Sequence, residues 1–290
     1  MESITSFTEE QEKPGYHFLD RNNIIIKKEA KLASSKIIFK GTGNILFLED
    51  GVQLKNSTIS FLGNNSIIYL SSNKYEYRIS TAVHNNCAVY IGKNCYMSSP
   101  VKILSTEGQS IFIGNDCLIA LNVVLRNSDA HAVYDIETTQ RINYPKSVFI
   151  GDHVWLGMES VILKGSQIGS GTIIASRSLV PNRIVPSNSM LAGSPAKIVK
   201  KGVFFEHQST HTWTDTEICV HSTNNNSKFI YLKDDMTINI DEFIKKIQSC
   251  STPQEKLNIY IYIYLVITIK IVFISVIQKP TKATHSDPLS

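Results

Sequence analysis

The 290-residue sequence has no dense run of lysine or arginine and no basic patch interleaved with aromatics, and its formal net charge is only +4. A nucleic-acid partner is not expected, because phosphate backbones are met by clustered cations. Any anion bound here must meet a local site. The five cysteines, Cys87, Cys95, Cys117, Cys219 and Cys250, stand far apart without a CxxC pair. That spacing removes zinc-ribbon and dithiol readings and fits reduced thiols in a cytoplasmic protein. His207 and His211 form an HxxxH that lacks the glutamate of a zinc-protease motif, so no metal is expected. The opening MESITSFTEEQEKPG has neither a basic start nor an apolar core, so a signal peptide is not expected.

One long apolar run is present. From Ile259 to Ile277 the chain reads IYIYIYLVITIKIVFISVI, interrupted only by Lys270. Its length approaches the ~20 residues of a membrane-spanning helix. Its isoleucines alternate with tyrosines, Thr268 and Lys270, the period of a strand. A strand or oligomer contact is the first reading, association with the inner face of a membrane the second, and a poorly ordered tail the third.

Sequence repeats set the fold class. Ile150, Leu156, Ile162, Ile168, Ile174 and Val180 stand six apart without a slip, as do Ile113, Ile119 and Leu125, and Ile91, Met97 and Ile103. Four positions after each aliphatic lies a small or modest side chain, among them Cys95, Cys117, Ser160, Ser166, Thr172 and Ser178. A period of six suits neither a 3.6-residue helix nor a plain hairpin. It suits a triangular coil in which three short strands and three corners make one turn of eighteen residues, and the aliphatics of successive turns stack into a continuous core. The equivalent units YIGKNC, FIGNDC and FIGDHV are separated by 22 and 37 residues. Against eighteen, these spacings leave a small insertion near Ser105 to Gln109 and a loop of about nineteen residues over 126–147. Long loops leaving a rigid scaffold are where function tends to sit. This one contains NSDAHAVYD and His131.

The sixfold rhythm, the looped-out SDAHAVYD, the following FIGDHVWLG and the closing LAGSPAKIVK together resemble the hexapeptide-repeat acyltransferases, over roughly Ala88 to Lys201. Within that family the run HAVYD…RINYPKSVFIGDHVWLG is most similar to the O-acetyltransferases of bacterial sialic-acid capsules. The resemblance implies a mainly β fold, a left-handed parallel β-helix with a protruding catalytic loop. It implies transfer of acetyl from acetyl-CoA to a sugar hydroxyl of a polysaccharide acceptor, in a homotrimer whose sites lie between subunits. His131 matches the family's base and Trp155 its tryptophan beside the thioester. Gly157, Ala175 and Ser176 match the coenzyme groove, Gly157 or Met158 the backbone donor, and Lys197 and Lys200 the residues that meet nucleotide phosphates.

The chemistry asks for such groups. A sugar hydroxyl is a poor nucleophile until its proton is taken, and histidine, with an unperturbed pKa of ~6.5, is mostly ready to accept it near neutrality. A carboxylate could fix its tautomer, for which Asp129 and Asp135 are the local candidates. If the acceptor carries a carboxylate, Arg126 and Arg141 flank the loop as possible partners. His153 reads as part of the coil exterior. Trp155 stands at an outward position of its unit, although core packing is the alternative for it, as a solvated basic face is for the two lysines.

The flanks are less regular. Residues 1–87 show apolar clusters and Asn/Gly turns without a clean count of six, read first as irregular β-coils continuing the solenoid. Residues 202–250 form an extension in which INIDEFIKKIQS reads as a short amphipathic helix, with Ile240, Phe243, Ile244 and Ile247 on one side; 251–290 form an apolar tail. Acetyl transfer to another surface sugar, and a noncatalytic solenoid that grips glycan, are the competing functions.

Overall fold

The computed structural model describes residues 2–7, 13–231 and 240–266. Its body is a solenoid whose coils stack strand on strand in parallel. Three faces result: a nine-stranded sheet (face 1), a six-stranded sheet (face 2) and an eight-stranded sheet (face 3), with a two-stranded pair, Ala30–Ala33 and Val52–Lys55, near the N-terminus. The chain visits the faces in fixed order, as in Val148–Ile150 on face 1, Trp155–Leu156 on face 2, Val161–Ile162 on face 3, then Gln167–Ile168 on face 1 again. Inward residues of all three faces, such as Leu46, Ile68, Val89, Ile111, Val148, Leu156 and Ile162, are wholly buried in one continuous core.

Residues 24–87 belong to the same solenoid. There Ile45 pairs with Ile24 and Ile67 with Ile45, a step of 21 or 22 residues. The count of six is lost because corners have grown, while the inward positions remain. The extra corners are closed by side chains standing in for backbone: Asn44 Nδ2 donates to Asn23 Oδ1 at 3.0 Å, and Ser66 N donates to Asn44 Oδ1 at 2.9 Å. Each bond satisfies a buried polar group that would otherwise cost ~1–3 kcal/mol. Elsewhere the corners leave no room for a side chain. A Cβ on Gly114 would lie 2.6 Å from the carbonyl carbon of Gly151 in the next coil.

The outer surface of face 1 carries a ladder of rings. Phe47 stacks on Tyr69 at 4.6 Å, Tyr69 on Tyr90 at 5.2 Å and Tyr90 on Phe112 at 4.5 Å, with Phe149 next at 6.3 Å. Two helices cover it. Helix Ile240–Gln248, expected from its apolar stripe, sets Phe243 edge-on to Phe112 and Phe149 at 5.6 and 5.9 Å. The second, Pro253–Val266, overturns the strand expected at the start of the 259–277 run. Alternating isoleucine and tyrosine lose to packing here: Leu257 and Tyr260 are buried, and Tyr260 lies 5.3 Å from Tyr90 and 6.1 Å from Tyr69. A helix start is also encoded just before the run. Thr252 Oγ1 accepts from Glu255 N at 3.2 Å and Glu255 Oε2 accepts from Thr252 N at 3.3 Å, the reciprocal capping that S/T-x-x-E favours, with Pro253 in the first turn. No helix among the described residues is long and apolar enough to cross a membrane. Residues 267–277 of the run lie outside the described part.

Candidate active site

The His131 segment leaves the solenoid at the corner between face 3, at Val124–Arg126, and face 1, at Val148–Ile150. It folds as a hairpin. Ile142 N donates to Val133 O and Asp135 N to Gln140 O, both at 2.9 Å, around a bridge between Tyr134 and Arg141. His131 is exposed near its base.

Three coils hold the hairpin in place. In the coil before it, Glu107 accepts from Arg141 Nη1 at 2.7 Å and from Ser128 Oγ at 2.5 Å. In the coil after it, Lys164 pairs with Asp129. Asn143 ties the two arms, its Nδ2 donating to His131 O at 2.7 Å and Asp129 Oδ2 at 3.0 Å while its Oδ1 accepts from Val133 N at 2.8 Å. Sequence reasoning missed Asn143, Glu107 and Lys164, although Glu107 lies within the small insertion over 105–109.

The two carboxylates proposed to orient the base are otherwise engaged. Asp129 is held below the usual carboxylate range, first by the bond from Lys164 and then by Asn143 against some desolvation. Asp135 closes the hairpin turn, accepting from Thr138 N at 2.8 Å and Thr138 Oγ1 at 2.9 Å, and is lowered by those bonds. Neither bonds the His131 imidazole, which has no hydrogen bond among the described residues. The two arginines are engaged as well. Arg126 Nε donates to Ser128 O at 2.8 Å, and Arg141, besides Glu107, reaches Asn143 and lies 5.4 Å over the Tyr144 ring. Both brace the loop in this chain.

Face 2 gathers the other site residues. Trp155 is in register with Leu118 before it and Ile173 after it, and it is 37% exposed, so the core-packing reading does not hold. At the following corner Gly157 lies directly on Ala175 and Ser176 of the next coil, where a Cβ would come within 2.6 Å of Ile174 O and Ser176 N. Gly157 N is spent on Ile174 O and Ala175 N on Leu191 O, each at 2.8 Å. Of the two alternatives for the backbone donor, Gly157 or Met158, only Met158 N–H makes no bond among the described residues. Lys197 and Lys200 are exposed on Ala196–Lys201, the last strand of face 2. Trp155, Met158, Ser176 and the lysines therefore form one path down face 2. His131 is not on it, since its hairpin leaves the corner between the other two faces.

The extension after Lys201 closes over face 2 on the N-terminal side of Trp155. Between it and face 2 is a cavity of ≈ 1120 Å³ lined by Tyr75, Tyr96, Leu118, Trp155, His207 and Trp213, among others. His153, read as coil exterior, is outside the coil but fully buried. Its ring lies between Phe205 at 4.1 Å and Phe229 at 3.5 Å, with Nε2 2.9 Å from Phe205 O. Burial pushes its pKa down to about 4, against a smaller upward pull from the Phe205 carbonyl. Among the described residues no cluster of His, Cys, Asp or Glu is suited to hold a metal.

Residues 147–182 match the bacterial transferase hexapeptide (six repeats) family. The chain carries the hexapeptide repeat of these transferases, and the proteins it is similar to are acetyltransferases. The chain is 29% identical to a polysialic acid O-acetyltransferase of Neisseria meningitidis, across 66% of its own length and 88% of that protein's. It is 34% identical to one from Escherichia coli O1:K1 / APEC, over 40% of its own length and 38% of the other. The solved polySia-specific acetyltransferase NeuO superposes with a TM-score of 0.56 at 29% identity, covering 69% of this chain and 91% of NeuO. The solenoid is thus the left-handed β-helix of this family.

Proposed function

We propose that this protein moves an acetyl group from acetyl-CoA to a hydroxyl of a bacterial capsular polysaccharide, with sialic acid as the acceptor sugar and His131 as the base. The observation that carries the reading is the division of the site. Trp155, Met158 and Ser176 line face 2 down to Lys197 and Lys200, while His131 projects from the opposite corner. One chain does not bring base and groove together, and a ring of identical subunits does, each lending its hairpin to the face 2 of a neighbour. The hairpin is built for such a contact, with Tyr134, Ile142 and Tyr144 61–63% exposed and Ile136 94% exposed. Apolar patches of this kind mark interaction surfaces. A homotrimer is the assembly we assign.

In that arrangement His131 takes the proton of the sugar hydroxyl as its oxygen attacks the thioester carbonyl; the C–S bond then breaks, and the imidazolium returns the proton to the departing CoA thiolate. Met158 N–H supplies a donor for the negative charge that develops, an interaction typically worth ~3 kcal/mol of barrier. Lys197 and Lys200 act as point charges toward coenzyme phosphates. The relatives' acceptor, named for them as polysialic acid, supports the choice of sugar. The test is release of free CoA thiol from acetyl-CoA with polysialic acid and with neutral glycans. His131→Ala is expected to lose the sialic-dependent rate by at least ~10²-fold, and an unchanged rate would remove His131 from the mechanism.

A further inference from the structure

The cavity beside Trp155 has a direction. In the reading above the coenzyme occupies face 2 on the C-terminal side of Trp155, toward Ser176, Lys197 and Lys200. The acceptor must therefore come from the N-terminal side, and there the coils carry exposed rings. Tyr96 shares a register with Leu118 and Trp155 on successive strands, so it stands ~10 Å from Trp155 at two strand spacings. Tyr75 meets Tyr96 edge-on at 5.3 Å, and Tyr96 is 41% exposed. The opposite wall comes from the extension. Trp213 stacks on His221 at 4.5 Å, and its indole N–H is closed off from solvent without an acceptor among the described residues. A buried donor left unpaired is costly, and a ligand hydroxyl would supply the acceptor. The remaining lining is mostly hydroxyl, amide and imidazole, with no lysine or arginine and one carboxylate, Glu206, which accepts from Asn224 Nδ2 at 3.0 Å. Aromatic floor and polar wall suit the two aspects of a pyranose, apolar C–H face and hydroxyl rim.

We infer that this groove is an extended acceptor subsite, in which sugar rings beyond the one being acetylated lie on Tyr96 and Tyr75 beneath Trp213. The enzyme then selects a polymer over a single sugar, and does so by stacking. This rests on the proposed function, and the experiment separates the two. Tyr75→Ala/Tyr96→Ala and, independently, Trp213→Ala are compared with the native enzyme using long polysialic acid, a neutral polysaccharide and a sialic acid monosaccharide. Oligosaccharide binding to the His131→Ala protein, with and without the tyrosine changes, is followed by saturation-transfer NMR.

The expected result is a KM for polymer raised roughly tenfold in the variants, given two lost ring contacts, with KM for acetyl-CoA and the rate on monosaccharide unchanged. Whether the neutral or the sialic polymer shows the effect identifies the sugar. Polymer turnover with an unaltered KM in all variants would overturn the subsite and leave the proposed function intact. Tyrosine-dependent oligosaccharide binding without turnover of any acceptor would support the subsite and overturn the proposed function. Absence of both binding and turnover would overturn both.

Discussion

Arg141 separates two accounts of the hairpin, one in which it meets the acceptor's carboxylate and one in which it braces the loop. The geometry favours bracing: Arg141 Nη1 lies 2.7 Å from Glu107 Oε2, Nε 3.3 Å from Asn143 Oδ1, and the guanidinium 5.4 Å over Tyr144. The ion pair is partly exposed, at 24% and 33% for the two side chains, so it contributes about 0.2–1 kcal/mol. The ring contact adds ~0.5–1 kcal/mol. Removing Arg141 therefore costs the docked hairpin about 1–2 kcal/mol, a population shift of roughly five- to thirtyfold. Because the hairpin hangs outside the core, the loss is local and Tm barely moves. Steady-state kinetics of Arg141→Ala, Glu107→Ala and the double variant decide the matter. Bracing predicts that kcat falls up to about tenfold in both single variants, that the double variant is little worse than either, and that acceptor KM changes alike in all three. A raised acceptor KM in Arg141→Ala alone, with Glu107→Ala near native, would refute the bracing account and restore Arg141 as a substrate contact.

Three further outcomes follow from the same structure. Tyr260→Ala removes a buried ring packed on the ladder of face 1 and is expected to cost about 3–5 kcal/mol of the docking of helix Pro253–Val266, seen as fast amide exchange over 253–261 while the solenoid core stays protected. His153 is neutral in the fold with a pKa near 4, below the ~6.5 of an unfolded histidine. The folded state then refuses a proton that the unfolded state takes, so stability falls as pH drops from about 6.5 toward 4, by up to roughly 3 kcal/mol; urea midpoints from pH 7 to 5 should decline more steeply for the native protein than for His153→Gln, and parallel slopes would disprove it. Lys197→Ala/Lys200→Ala should raise KM for acetyl-CoA several-fold and flatten its salt dependence, leaving acceptor KM unchanged.

The solenoid was readable wherever corners are minimal, because each face must place one aliphatic inward and six residues then repeat, as from Ile150 to Val180. From 24 to 87 the coils were expected, but their count was not readable, for a physical reason: Asn23, Asn44 and Ser66 close longer corners with side-chain hydrogen bonds, and these absorb extra residues without disturbing the core. The helix at Pro253–Val266 was misread because alternation was weighed over the run itself, while the capping signal STPQE stood just before it. At the site, residue types were legible and bonding was not. Asp129 looked like a partner for His131 because it is two positions away; Lys164, 35 positions away and one coil on, holds it instead. Nothing local in the sequence announces a contact set by the stacking of coils.

The central claim is that base and groove belong to different copies of the chain. Co-expressed His131→Ala and Trp155→Ala chains, each nearly inactive alone, test it by complementation of acetyl transfer. If sites form between subunits, random mixing gives about a quarter of the sites both native residues, and activity returns in proportion. If His131 and Trp155 of one chain serve the same site, every site carries one defect and the mixture stays as inactive as its parts, which would contradict the account.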